Sequence, residues 1–249
     1  MLLWIFVIYA VLLSIALRIK GRHPAMGDMP SSSRRTNSPA RLLVVGASGG
    51  TGRHLVSQAL ERGYKVTALV RDRSSLDTSH PNLTLREGDV LQPQSLDEAV
   101  EGQDAVVSAL GHKQFFRPTR ILSHGTQNLM DAMNKAGIRR LVCVSALGIG
   151  SSVGRLGLYY TLFVIPVILP FYFWDKTRQE KAIMSSNLDW TIVRPGALTD
   201  GSARGEFKHG SNVGNFLWTV RIARADTASF VLDQLTNETY LRQASGVCW

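Results

Sequence analysis

Cysteine is almost absent from this sequence: Cys143 and Cys248 are the only two among 249 residues. Two distant cysteines build neither a disulfide framework nor a zinc site, so the sequence favours a reducing compartment. No pair of the six histidines has the spacing of two ligands on one helix face, which predicts no metal site. No G-x-S-x-G motif surrounds Ser145, so hydrolase chemistry of that type is not indicated there.

Acidic residues are also scarce, since 28 lysines and arginines face 19 acids and give a net charge of +9. Residues 18 to 41 carry +5 of that charge, with six basic residues and one acid. The remaining excess is spread over the rest of the chain, and no stretch alternates basic and aromatic residues. The distribution therefore predicts no nucleic acid as a partner.

The first seventeen residues carry no charge. That length lies at the short end of what an apolar helix needs to cross a bilayer. We interpret residues 1–20 as a transmembrane anchor, residues 21–40 as a flexible basic linker, and residues 41–249 as one domain. A cleaved signal peptide and a buried helix are the alternatives. The basic residues that follow the anchor predict that the domain faces the cytoplasm.

Apolar runs alternate with helical patterns after residue 40. The predicted strands are residues 41–47, 64–70, 82–89, 104–111, 138–148 and 188–196, and the predicted helices are residues 50–62, 94–102, 119–136 and 175–186. Continuous apolar strands separated by helices indicate a parallel sheet covered on both faces. The expected fold is thus α/β, a Rossmann-type doubly wound parallel sheet.

The sequence GASGGTG places Gly46, Gly49 and Gly52 between the first strand and the first helix. In a doubly wound sheet, such a turn lets a pyrophosphate approach the backbone at the helix N-terminus. The first glycine permits the tight turn, the second the close approach and the third the contact between helix and strand. We therefore predict a dinucleotide site. Its phosphate loop also contains Ala47, Ser48, Gly50 and Thr51.

The end of the second strand indicates which dinucleotide binds. Sheets that bind NAD usually carry an acid there, which bonds the ribose 2′-hydroxyl, but this chain has Arg71. A guanidinium suits a 2′-phosphate by charge and by geometry, so NADP (NADPH) is the predicted cofactor. Asp72 could serve the ribose instead, and a solvated charged loop is a third interpretation.

Five segments together resemble the atypical branch of the short-chain dehydrogenase/reductase superfamily. They are GASGGTG, VRDRSSL, EGDVLQPQSLDEAVEGQDAVVSALG, RLVCVSALG and SSNLDWTIVRPGALTD. This branch includes NmrA-like sensors and enzymes similar to flavin and biliverdin reductases, and the resemblance covers residues 41 to about 236. It implies a Rossmann fold with a small substrate-side lobe.

The resemblance also implies three further groups of cofactor contacts. Asp89 and Val90 match the pair that flanks the adenine. The second group, Ala109, Leu110 and Gly111, matches the loop beside the nicotinamide ribose. The third group, Pro195, Gly196 and Ala197, matches the loop beside the nicotinamide. All of them follow predicted parallel strands, where open sheets bind their ligands.

Three residues match the catalytic set of the superfamily: Ser145, Tyr172 and Lys176. The resemblance implies that the tyrosine donates a proton to a carbonyl and that the lysine holds the cofactor ribose. Lys176 would thus be a cofactor contact as well. The gap from Ser145 to Tyr172 is longer than usual, and Tyr172 lies in an aromatic run where it could serve packing alone. Many atypical members lack the tyrosine, take hydride directly and obtain the proton from solvent.

Residues 156–174 form an uncharged stretch as long as a membrane span. Spanning would separate the sixth strand from the first five, and Pro166 and Pro170 interrupt a straight helix, so we predict no span. Residues 156–174 could instead form a wall of the substrate pocket, or an exposed apolar patch that rests on the bilayer, and the two interpretations are compatible.

The sequence predicts an NADPH-dependent reductase whose substrate is an apolar or planar acceptor such as a quinone, a flavin or a ketone. The alternative is a non-catalytic NADP-binding sensor or assembly factor tethered to a membrane. Epimerase chemistry is a weaker alternative, because the region after Pro195 is short for a sugar-nucleotide lobe.

Overall fold

A computed structural model describes residues 40–249 of the chain. Its strands are β1 (Arg41–Val45), β2 (Lys65–Val70), β3 (Leu83–Glu87), β4 (Ala105–Ser108), β5 (Arg140–Val144), β6 (Asp189–Pro195), β7 (Ala197–Thr199), β8 (Lys208–Gly210), β9 (Arg221–Ala223) and β10 (Gln243–Cys248). Its α-helices are α1 (Gly50–Glu61), α2 (Pro93–Val100), α3 (Ile121–Lys135), α4 (Pro170–Met184) and α5 (Arg224–Asp233). A π-helical segment covers Tyr160–Ile168.

The predicted anchor, residues 1–20, and the linker as far as residue 39 lie outside the described residues. Within residues 40–249, no helix is both long enough and apolar enough to cross a membrane.

Eight strands form one sheet in the order β3-β2-β1-β4-β5-β6-β10-β8. The first seven run parallel, and β8 pairs antiparallel with β10 at the edge. The predicted parallel α/β sheet is thus confirmed. The chain moves outward from β1 to β3 and then returns to place β4 on the other side of β1. That reversal opens a crevice at the carboxyl ends of β1 and β4, where doubly wound sheets bind ligands.

Both faces of the sheet are buried, because apolar residues occupy successive positions along the central strands. In β1, Leu42 and Val44 face one core and Leu43 and Val45 face the other. The first core includes buried residues of α1 and α5, and the second includes those of α2, α3 and α4. A smaller cluster beside them contains Leu147, Ile149, Leu156 and Phe173, and β7 pairs with β9 in a separate two-stranded sheet.

The structure differs from the sequence prediction at the start of α4 and in five elements that were not predicted, which are α5, β7, β8, β9 and β10. Helix α4 begins at Pro170, five residues before the predicted start, because proline suits the first turn of a helix and the aromatic residues continue it. Strand β10 was not predicted at all. Its sequence, QASGVC, has too few consecutive apolar residues to indicate a strand, and it is held by pairing with β6 and β8.

A buried ion pair joins α4 to β6. The guanidinium of Arg194 donates from Nε to Glu180 Oε1 (3.0 Å) and from Nη2 to Glu180 Oε2 (2.6 Å). Both side chains are less than 5% exposed. Both groups are buried away from water, and each neutralises the charge of the other. An unpaired charge in the core would cost several kcal/mol of desolvation free energy, about the loss expected when one partner is removed.

We expect Arg194→Ala to lower the free energy of unfolding by about 3 to 5 kcal/mol, because it leaves the Glu180 carboxylate buried without its partner. The matched control is Arg62→Ala, which removes a solvent-exposed pair with Asp233 and should cost about 1 kcal/mol or less. Urea unfolding of both variants measures the difference. Equal losses would show that burial of the pair does not matter.

Candidate functional site

The glycine loop after β1 is shaped by close backbone contacts. Gly46 has φ +78°, and a Cβ there would lie 2.7 Å from the carbonyl oxygen of Ala109. A Cβ on Gly52 would overlap the Gly46 carbonyl oxygen. The turn closes through a hydrogen bond from Gly49 N to Gly46 O (3.1 Å). The loop therefore presses against the end of β4 and leaves no room for side chains at its two ends.

The N-terminus of α1 is free to receive an anion. Its N-cap residue, Gly49, makes no side-chain capping bond, and the first turn contains no acidic residue. Gly49 and Gly50 are exposed. Unpaired N–H groups and the positive end of the helix dipole together form a phosphate site. The structure thus arranges residues 46–52 as the predicted phosphate loop requires.

Arg71 is exposed at the end of β2 and has no hydrogen bond or ion pair with any other described residue. Asp72 is already engaged, since its Oδ1 accepts from Ser74 N (2.8 Å) and Ser74 Oγ (2.7 Å). These hydrogen bonds hold the pKa of Asp72 below its usual value. Of the two residues proposed for the ribose, Arg71 is therefore the one left free for a ligand.

Arg53 is a residue that the sequence prediction missed. Its Nε donates to Ser48 O (3.1 Å) and its Nη2 donates to Ser75 O (2.8 Å). It therefore links the glycine loop to the turn that follows Arg71 and adds a second cation to the same corner. Its position directly after the third glycine of the motif was the signal that could have found it.

Asp89 and Val90 follow β3 and form one wall of the crevice. Asp89 Oδ1 accepts from Leu91 N (2.9 Å), which fixes the turn. Val90 is buried against α3, where a Cβ on Gly125 would lie 2.6 Å from its Cγ2 atom. Asn128 Nδ2 donates to the Val90 carbonyl (3.0 Å). Packing and hydrogen bonding thus hold this wall rigidly at the predicted position.

The loops after β4 and β6 lie at the same edge of the sheet. Ala109 N donates to Val45 O (2.9 Å), so residues 109–111 start beside the glycine loop. Leu110 is half-buried and Gly111 is exposed. The Pro195 carbonyl accepts from Leu147 N, and Gly196 has no space for a side chain because a Cβ would lie 2.8 Å from Val220 O. Ala197 N donates to the same Val220 carbonyl.

Tyr172 and Lys176 lie one turn apart on α4 and point to this edge. The Tyr172 hydroxyl lies 3.6 Å from where a Cβ on Gly111 would stand. It has no hydrogen-bond partner among residues 40–249. Lys176 is 2% exposed, and its Nζ lies 5.7 Å from the centre of the Tyr172 ring. The structure therefore brings the tyrosine and the lysine together beside the fourth-strand loop.

Two of the three Lys176 N–H groups are used within the protein. Nζ donates to Val144 O (3.0 Å) and to Gln179 Oε1 (3.4 Å). The next residue along β5, Ser145, is buried, and its hydroxyl has no partner among the described residues. An orphaned buried hydroxyl is costly unless a ligand satisfies it. Ser145 and the remaining Lys176 proton thus fit a bound ligand.

His112 packs against Tyr172 with an edge-to-face geometry and 4.9 Å between the ring centres. Its Nδ1 accepts from Gln114 N (3.2 Å), and Nε2 lies 3.0 Å from Thr119 Oγ1. Partial burial lowers the pKa of His112, although the Asp175 carboxylate opposes this effect. The imidazole is therefore neutral at pH 7. The rings of His112, Phe115 and Tyr172 form one cluster, with the Phe115 centre 5.9 Å from Tyr172 and 6.5 Å from His112.

Thiol and metal chemistry find no support at this edge. Burial raises the pKa of the Cys143 thiol to about 11, so it is not a nucleophile at neutral pH. Among residues 40–249, no three histidine, cysteine, aspartate or glutamate side chains come close enough to hold a metal ion.

Comparison with known proteins yields a family and several relatives. A profile described as NAD(P)H-binding matches residues 46–238. An uncharacterised chloroplast protein of Arabidopsis thaliana is 34% identical over 178 residues, which cover 66% of this chain and 61% of that protein. The photosystem II assembly factor Ycf39 of Synechocystis is 30% identical over 164 residues, covering 65% of this chain and 46% of Ycf39. The chain thus spans about half of these relatives.

A crystal structure of a short-chain dehydrogenase/reductase from Veillonella parvula, in complex with NADP, has a similar fold. The TM-score is 0.69 at 19% identity, and the match covers 85% of this chain and 95% of that one. The similarity extends over nearly all of the described residues, and at this identity it supports the fold alone.

We expect Gly52→Ala to lower the free energy of unfolding by about 1 to 3 kcal/mol and to weaken NADPH binding, because the new Cβ displaces the glycine loop. Gly201→Ala is the control, since a Cβ there would have only one neighbour, at 3.8 Å. Thermal unfolding and fluorescence titration with NADPH measure the two effects. Wild-type behaviour of Gly52→Ala would rule out a tight phosphate loop.

Proposed function

The chain belongs to the NAD(P)H-binding family, and from that premise we propose that it is an NADPH-dependent reductase. Its acceptor is an apolar or planar molecule such as a quinone, a flavin or a ketone. The observation that carries this proposal is a continuous row of contacts at one edge of the sheet. Gly46 touches Ala109, the loop continues to Gly111, and Gly111 adjoins the Tyr172 hydroxyl above Lys176.

The charges at the other end of the crevice favour NADPH over NADH. Arg71 is exposed and has no partner among residues 40–249, and Arg53 lies at the same corner between the glycine loop and the Arg73–Ser75 turn. Two guanidinium groups attract a 2′-phosphate, whereas a ribose 2′-hydroxyl gains little from them. The residue that could have bonded the hydroxyl, Asp72, caps the turn instead.

NADPH, when bound, supplies a hydride from its nicotinamide ring. The backbone N–H groups at the start of α1 would hold the diphosphate, and the free proton of Lys176 would bond a ribose hydroxyl. Ser145 offers its unpaired hydroxyl to the same region. Tyr172 would donate its phenolic proton to the acceptor oxygen, since its hydroxyl faces the loop after β4 and has no competing bond within the described residues.

The walls around Tyr172 support an apolar or planar acceptor. The rings of His112, Phe115 and Phe173 all lie within 6.2 Å of the Tyr172 ring, measured between centres. Beyond them lies the apolar cluster of the small lobe, which includes Leu147 and Ile165. Aromatic and aliphatic walls favour flat, uncharged molecules, because they offer apolar contact surface and stacking.

A non-catalytic NADP-binding assembly factor or sensor is the second candidate. The similarity to Ycf39, which is named as an assembly factor, favours it. A screen of NADPH oxidation against quinones, flavins and ketones separates the two candidates. Binding of NADPH without oxidation by any of these acceptors would favour the second. The membrane tether through residues 1–20 is common to both proposals.

We expect Arg71→Ala to weaken NADPH binding by about 10- to 100-fold and to leave NADH binding nearly unchanged, because one charge-assisted contact to the 2′-phosphate is lost. Arg62→Ala is the control, since Arg62 lies beyond the last residue of α1 and bonds Asp233. Fluorescence titration with both dinucleotides measures the change. Equal affinities of the unaltered protein for NADPH and NADH would contradict the assignment.

We expect Tyr172→Phe to reduce ketone turnover by about 100- to 10,000-fold, because it removes the proton donor and keeps the ring. NADPH affinity and melting temperature should hardly change. Tyr160→Phe is the matched control in the same apolar segment, and it should remain active. Lys176→Met should reduce both turnover and NADPH affinity. Unchanged turnover of Tyr172→Phe would leave Tyr172 a packing residue and favour direct hydride transfer with a proton from solvent.

A further inference from the structure

The segment after Gly157 exposes an unusual number of large apolar side chains. Three lie on or next to the π-helical segment, two on the first turn of α4 and two in the loop before β9. They are Tyr159 (60% exposed), Phe163 (48%), Val167 (58%), Phe171 (37%), Trp174 (43%), Leu217 (59%) and Trp218 (74%), and we call them the apolar face. Isolated exposed apolar residues are ordinary, but a concentration of seven marks an interaction surface.

Local geometry makes this face continuous. Tyr159, Phe163 and Val167 recur at four-residue spacing, and the rings of Tyr159 and Phe163 stack with centres 5.8 Å apart. Phe171 and Trp174 follow on the same side of α4, one turn apart. The loop residues adjoin the start of the segment, because Leu158 N donates to Leu217 O (3.4 Å).

Basic residues adjoin the face on α4. The exposed stripe of α4 continues from Trp174 to Arg178 and Lys181, and the Arg178 guanidinium lies 4.9 Å from the centre of the Trp174 ring. Between Ala105 and Ser185, the one exposed acid is Asp131, since Asp175 and Glu180 are buried. An aromatic face with adjoining basic residues complements an anionic lipid surface.

We propose that the apolar face docks on the surface of an anionic lipid bilayer. Tryptophan and tyrosine favour the interface because one part of each ring is apolar and the other is polar. Nineteen residues separate Lys20 from Ala40, a length that extends at most about 65 Å. A chain with the predicted anchor, residues 1–20, can therefore still lay this face on the bilayer. The docking stands independently of the reductase function.

The test uses the full chain with Trp4→Phe, reconstituted in vesicles of phosphatidylcholine and phosphatidylglycerol with brominated acyl chains. Bromine quenches tryptophan fluorescence only on close approach, and this background retains Trp174, Trp190, Trp218 and Trp249. We expect strong quenching, and we expect most of it to be lost in Trp174→Phe/Trp218→Phe. Trp190 is buried, and Trp249 is covered by Arg204 at 3.7 Å, so neither should contribute.

A charge reversal tests the lipid specificity. Arg178→Glu should reduce quenching, whereas Lys65→Glu, an equal charge change at the opposite end of the sheet, should not. Vesicles of phosphatidylcholine alone should give weaker quenching than the anionic mixture. Quenching that is weak in the unaltered chain, or unchanged in the double variant, would overturn the proposal. If a second copy of this chain covered the face instead, quenching would be equally weak and the protein would be dimeric at all lipid compositions. That outcome would also overturn the proposal.

Discussion

The position of the candidate site depends on a row of buried polar side chains along α4. Asp175, Lys176, Gln179 and Glu180 are all at most 3% exposed, and each bonds a different neighbour. The Asp175 carboxylate accepts from the backbone N–H groups of Leu122 (2.9 Å) and Ser123 (3.1 Å), so it caps α3 from another helix. Gln179 bonds Thr126 on α3, and the other two residues bond β5 and Arg194. Because unpaired buried polar groups are costly, this arrangement permits only one placement of α4.

The same arrangement accounts for the properties of the site. Lys176 is held against the end of β5, so its remaining proton and the Tyr172 hydroxyl are fixed relative to the loops after β4 and β6. Thr119 lies between His112 and Asp175, which connects the cluster of aromatic rings to the cap of α3. The first turn of α4 carries Tyr172 towards the crevice and Phe171 and Trp174 towards solvent. One helix thus separates the proposed cofactor side from the proposed membrane side.

The glycine loop and α4 illustrate how far the sequence could lead. The glycine loop was predicted from the sequence because the crowding at Gly52 and the uncapped helix start depend on neighbours in the chain, whereas the crowding at Gly46 comes from Ala109 at the end of another strand. The contacts of Arg53 with Ser75 and of His112 with Tyr172 are seen only in the tertiary structure. The early start of α4 and the strand β10 were missed. Their local patterns are weak, and tertiary contacts stabilise them.

By itself, the sequence determined the parallel α/β sheet and the NAD(P)H-binding family, since alternating apolar runs and glycine spacing are local signals. It also supplied Ser145, Tyr172 and Lys176 as candidates, but it left Tyr172 open between chemistry and packing. Only the tertiary structure decided which neighbours surround Tyr172 and that Asp72 is engaged in a turn. It alone showed that six of the nineteen residues of the uncharged stretch are exposed. The physical reason is that burial and hydrogen-bond partners are set by residues distant in the chain, which hydrophobic periodicity does not encode.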